Sequence, residues 1–155
     1  MPIPEGLARG PEFEDAWILE VQAERPRVYV SALLGFYPRE YYEGEGTWRW
    51  MEQTGVLRVA TTRESPGSLL VLELKAFPRD RHVEWFLDGR QLGEVEVTTE
   101  WRRYEIHLDS LTRGENALTL ACRGPAVVAN EILGNGDLRA LCLAVGSWRV
   151  ERRSL

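Results

Sequence analysis

"VEWFLDGRQLGEVEV", residues 83–97, decides how the rest of the chain is read. Successive side chains of an extended strand point to opposite faces, so Val83, Trp85 and Leu87 share one side and Glu84 and Phe86 the other. Asp88-Gly89 then interrupts the run, and a second alternating segment follows. A tight two-residue reversal needs positive φ at both central positions, and Asp-Gly supplies it. The stretch predicts a β-hairpin with one apolar face.

The alternation continues outward from this hairpin. Upstream lie "RVYVSALL" (27–34), "VLRVATT" (56–62) and "SLLVLELKAF" (68–77). In the second of these, Leu57, Val59 and Thr61 share a face. The third is apolar on both sides until Glu73 and Lys75 appear together on one of them. Downstream, "WRRYEIHL" (101–108) turns Tyr104, Ile106 and Leu108 inward, and "NALTLAC" (116–122) does the same with Leu118, Leu120 and Cys122. "LRALCLAV" (138–145) is apolar on both faces and reads as a covered strand, and "SWRVE" (147–151) closes the domain. "PAVVANEIL" (125–133) reads as a short helix or an irregular loop. No segment holds a helical apolar stripe over three turns. About nine strands separated by turn residues predict an all-β fold, an antiparallel jelly-roll β-sandwich.

Length and charge set the remaining bounds. The 155 residues suit one domain, with 1–15, rich in Pro, Gly and Glu, as an N-terminal arm or linker and 16–155 as the sandwich. A net charge of −5 gives no general attraction to nucleic acid or anionic membrane. No window is long and apolar enough to insert into a bilayer, and the opening residues lack the apolar core of a secretory signal. A soluble, cytoplasmic chain is expected. Of the nineteen basic residues, eighteen are Arg and one, Lys75, is lysine. Cys122 and Cys142 form no metal-binding spacing. Buried free thiols are expected, and a disulfide would require Cα atoms within about 7 Å.

Three phrases in order then carry a resemblance: "VEWFLDGRQLGEVEV", "TTEWRRYEIHLDSL" and "LTRGENALTLAC". A hairpin over an Asp-Gly turn, a Trp-x-x-Tyr strand and a Gly-x-Asn-x-Leu-x-Leu strand resemble the jelly-roll sandwiches of the galactose-binding-like superfamily, which includes many carbohydrate-binding modules. "GFYPREYYEGEGTWRWM" and "GDLRALCLAVGSWRV" are similar to non-catalytic sandwich domains attached to bacterial glycosyltransferases. The match covers about residues 27–151. It implies a non-catalytic module recognising a carbohydrate or glycoconjugate.

The candidate ligand-binding residues are Tyr37, Tyr41, Tyr42, Trp48, Arg49, Trp50, Asp137 and Arg139. Trp48 and Trp50, two apart, share one side of a strand, either stacking on a sugar ring or filling the core, with Arg49 pointing to solvent. Tyr37, Tyr41 and Tyr42 lie in a glycine-broken acidic loop, a common place for binding groups. Asp137 and Arg139 share a face and suit a local ion pair, or a link to Glu52 or Arg49. Trp101 and Trp148 read as core plugs or lids at the sandwich's open end. Asp137 with nearby carbonyls is also the place where a structural Ca²⁺ would sit, although the run lacks EF-hand spacing. No other cofactor is expected, and no metal site, because His82 and His107 fall on outward faces without a partner histidine. No nucleophile elbow or phosphate loop occurs, so no enzyme is expected. The alternative reading is a structural or protein-interaction sandwich that dimerises or docks a partner, motivated by strands apolar on both faces.

Overall fold

The computed structural model describes residues 27–44, 46–64 and 67–152. The expected arm over 1–15 lies outside them. The elements are β1 (Val28–Phe36), β2 (Glu40–Tyr42), β3 (Gly46–Thr61), β4 (Ser68–Ala76), β5 (Arg81–Leu87), β6 (Arg90–Val97), β7 (Arg102–Leu108) and β8 (Gly114–Cys122). They continue with β9 (Val127–Val128), α1 (Ala129–Leu133), β10 (Ala140–Leu141) and β11 (Leu143–Arg152). Among the described residues no helix is long and apolar enough to cross a membrane.

The hairpin that opened the reading is present. Leu87 pairs with Arg90, and Asp88 (φ 48°) and Gly89 (φ 85°) take the positive φ values of the expected turn. The Asp88 side chain then accepts a hydrogen bond from the Ala117 N–H at 2.8 Å, which fastens the turn to β8.

All strand pairs are antiparallel, and the main hydrogen-bonded path runs β6-β5-β8-β3-β11-β4-β7. The path folds over at β3. Its second half pairs with β8 on one side and β1 on the other, while residues 49–51 pair with β11. One layer is therefore β6-β5-β8-β3-β1 and the other β7-β4-β11, with the start of β3 joining them. Between the layers lies a single apolar core. Leu57, Val59, Val83, Leu118 and Leu120 come from one side, and Leu70, Leu72, Leu74, Ile106, Leu143 and Val145 from the other, all at most 1 % exposed. The predicted inward faces of β3, β5, β7 and β8 are the buried ones.

Three sequence expectations change. Among the described residues eleven strands form instead of about nine, partly because 125–133 splits into β9 and α1, and 138–145 into β10 and the start of β11. β11 also runs unbroken through 147–151, with a register shift between Val145 and Trp148 where two strands were expected. Finally, Cys122 and Cys142 are not free thiols. They are joined as a disulfide with Cα atoms 6.8 Å apart, tying the end of β8 to the entry of β11 across the core.

The strands that read as apolar on both faces are covered within the chain. Val71, Cys142 and Ala144 are buried along with their inward neighbours. At β1, Gly35 (φ 79°) lies so close to β3 that a Cβ there would overlap the Thr54 carbonyl, so a side chain is excluded by both conformation and space.

Candidate functional site

Trp48 and Trp50 leave the start of β3 on the side away from the core, because their neighbour Met51 pairs with Leu143 in the interior. Register sets their surroundings. Trp50 stands opposite Ala144, and Ala144 opposite Lys75, so the three form a row across β3, β11 and β4. Trp101 sits just before β7 at the end of that row. Small residues at Ala144 and Gly146 make room for the rings; a Cβ on Gly146 would lie 3.2 Å from the Trp101 ring.

The outcome is an aromatic cage around the one lysine of the chain. Lys75 Nζ lies 5.4 Å from the Trp48 ring, 5.8 Å from Trp50 and 5.4 Å from Trp101. Each is within cation–π reach. Tyr42 stacks on Trp48 with ring centres 4.3 Å apart and planes 7° from parallel, and Trp101 meets Trp48 tilted at 5.6 Å. Trp50 meets Phe77 edge-on at 5.7 Å. Trp48 is only 6 % exposed, yet it does not belong to the interlayer core. Its indole N–H is buried with no acceptor among the described residues.

A polar network adjoins the cage. Arg139 holds Asp137 through Nε and Nη2, and the Asp137 carboxylate also accepts the Arg139 backbone N–H at 3.0 Å. Its Nη1 reaches Glu40 on β2 at 2.8 Å, and its guanidinium lies 5.3 Å from the Tyr37 ring. The local pair expected from sequence is thus formed, with Glu40 as the added partner in place of Glu52 or Arg49. Bonding to Arg139 holds the Asp137 carboxyl well below the usual range, at about 2. Asp137, followed by Glu40, raises the Arg139 pKa further. A cation at Asp137 would have to displace Arg139.

The Tyr37 hydroxyl lies 3.1 Å from both a Glu52 oxygen and the Ala140 carbonyl, and it donates to one at a time. Burial, and then the bond to Glu52, push its pKa up. The Tyr42 hydroxyl donates to Glu40 at 2.7 Å, and that bond is the largest cause of its raised pKa. Tyr41 stands apart, 70 % exposed on the opposite side of β2. The segment expected to be a loop is thus partly a strand, since Glu40–Tyr42 pairs back on Gly46–Trp48.

Arg49 does not stand free in solvent. It pairs with Val145 on the inner side and lines a cleft of about 390 Å³ between β1, β3 and β11. Ser31, Arg39, Thr47, Ser147 and Trp148 also border the cleft, with Trp48 at one wall. Trp148 is anchored there by its indole N–H, which donates to the Val30 carbonyl at 3.1 Å. Chemically the cleft offers two guanidinium groups, three hydroxyls and indole surface.

The structure therefore divides the eight expected residues. Tyr42, Trp48 and Trp50 join the cage, Tyr37, Asp137 and Arg139 the network, and Arg49 the cleft. Lys75, Glu40, Arg39 and Trp148 were not singled out as site residues by sequence. Lys75 carried a signal as the lone lysine of an arginine-rich chain, and Trp148 as a core plug or lid.

No protein-family model matches the chain, and no curated protein matches it in sequence. Solved structures share its fold. A Podospora anserina GH26-CBM35 β-(1,4)-mannanase superposes with a TM-score of 0.50 at 12 % identity, over 84 % of this chain and 28 % of the enzyme, so this chain spans little more than a quarter of that protein's length. A family 35 carbohydrate-binding module from an environmental isolate gives 0.48 at 13 % identity, covering 81 % of this chain and 92 % of the module. The C-terminal CBM6 of LamC from Zobellia galactanivorans gives 0.47 at 10 % identity, over 83 % of this chain and all of that module. At these identities the likeness is one of fold alone, an all-β, jelly-roll-like sandwich.

Proposed function

We propose that the protein is a non-catalytic module that takes a carbohydrate in the cleft between β1, β3 and β11. The observation that carries the proposal is the set of groups meeting there. Arg39 and Arg49 present planar donor forks, Ser31, Thr47 and Ser147 present hydroxyls, and the half-buried Trp148 presents apolar ring surface. A sugar ring needs this combination, with hydroxyls bonded at its edge and C–H groups laid against an aromatic wall. The Trp148 indole is fixed by its bond to the Val30 carbonyl, so the wall is held before a ligand arrives.

The Cys122–Cys142 disulfide favours an oxidising compartment over the cytoplasm expected from sequence, because such bonds persist outside reducing cell interiors. A module acting on external glycan would reside there.

Calorimetric titration against a panel of neutral, acidic and amino-sugar oligosaccharides tests the assignment. One class should bind. Arg49→Ala should weaken that binding at least about tenfold, the loss of one charge-assisted hydrogen-bond pair. Arg90→Ala, altering an exposed side chain at the β5–β6 turn, should leave it unchanged. Absence of binding across the panel, or equal binding by Arg49→Ala, removes the proposal.

A further inference from the structure

The outer face of the β5–β6 hairpin carries a separate constellation of side chains. In register, His82 stands opposite Glu96 and Glu84 opposite Glu94. His82 and Glu84 are two residues apart, so one imidazole and three carboxylates occupy the corners of two neighbouring cross-strand pairs. Like charges directly opposite one another destabilise such a pair, and Glu84–Glu94 is a like-charged pair that calls for a cation. The cation now nearest is Arg123 from β8's end, with Nη2 3.2 Å from Glu84 and 3.7 Å from Glu94.

The imidazole is held at both ring nitrogens, and a metal would replace the proton shared between Nε2 and Glu94. Its Nδ1 lies 2.8 Å from a Glu96 oxygen and its Nε2 2.9 Å from a Glu94 oxygen. A metal-bound histidine characteristically gives its other ring N–H to a carboxylate, which fixes the tautomer and raises the basicity of the ligating nitrogen. Glu96 is placed for that second role. One donor atom each from His82, Glu84 and Glu94 lie within 4.8 Å of one another. Tetrahedral zinc places its nitrogen and oxygen ligands about 2.1 Å from the ion, hence roughly 3.4 Å apart.

We propose that His82 Nε2, Glu84 and Glu94 form a binding site for a divalent transition-metal ion of the zinc class, with Glu96 orienting the imidazole. The fourth position is left to water. The ion takes over the work of Arg123, whose side chain is 63 % exposed and swings into solvent. An imidazole ligand selects against calcium and magnesium, which prefer all-oxygen shells. The site lies on the opposite layer from the cage and does not depend on the carbohydrate reading.

The test is titration of the intact, metal-stripped chain with zinc chloride, followed by calorimetry and by backbone amide spectra. One saturable site is expected, with spectral changes centred on β5 and β6. His82→Asn and Glu96→Gln should each weaken zinc binding at least about tenfold. Arg123→Gln should tighten it several-fold, because it removes the competing cation; a merely structural Arg123 would not give this result. His107→Asn should change nothing, and calcium chloride should not compete. All the substituted side chains are at the surface, and unchanged circular dichroism confirms their fold. Equal zinc affinity in His82→Asn, no gain in Arg123→Gln, or no saturable binding overturns the assignment.

Discussion

Asp137 shows how much one residue depends on its neighbour. Both of its oxygens face Arg139, and the carboxyl is held at about 2 in place of its ordinary 3.8. A carboxyl depressed on folding stabilises the fold above its unfolded value, and that contribution disappears as pH falls through the folded one. Asp137→Asn should therefore melt below the parent at neutral pH. The gap should shrink between about pH 4 and pH 2 and vanish below that. Thermal melts across this range check it, and a gap independent of pH would show that the carboxylate's charge is not what matters. The pair itself was legible in the sequence, because residues two apart on an extended chain share a side. Glu40 was not legible, since it joins the same arginine from 99 residues away. The Lys75 cage was equally hidden: its three indoles come from the start of β3 and the approach to β7, brought together only by register.

At the level of elements, strand identity was readable and strand length was not. A layer with one buried face imposes a period of two, so the inward residues of β5, β7 and β8 could be named in advance. β3 was read in two pieces, a strand at Trp48 and Trp50 and another from 56, because Glu52, Gln53, Thr54 and Gly55 interrupt the apolar alternation between them. β11 was read as two strands because its register slips between Val145 and Trp148, with Gly146 and Ser147 marking the join. The disulfide was not decided by spacing. Twenty residues separate the two cysteines, and only the fold brings them within reach. Closing a loop of that size restricts the unfolded chain by about 3 kcal/mol. Urea unfolding in reductant, or of Cys122→Ala with Cys142→Ala, should show a loss of that order. Stability unchanged by reduction would mean the bridge adds nothing to the fold.

At the scale of the molecule, the two layers differ in what they present. The β7-β4-β11 layer carries the caged lysine, and the β6-β5-β8 layer carries the histidine and its carboxylates. Cage and cluster are thus borne on different layers of one scaffold. β3 belongs to both layers, because its sixteen residues bond to β1, β2, β8 and β11. Neither layer can therefore open while the other stays shut. Slow amide protons of β4 and β8, far apart in sequence, should exchange with deuterium through the same rare event and share one protection energy. A molecule built around a common spine has no half to shed: under stress it holds as a unit and yields as a unit.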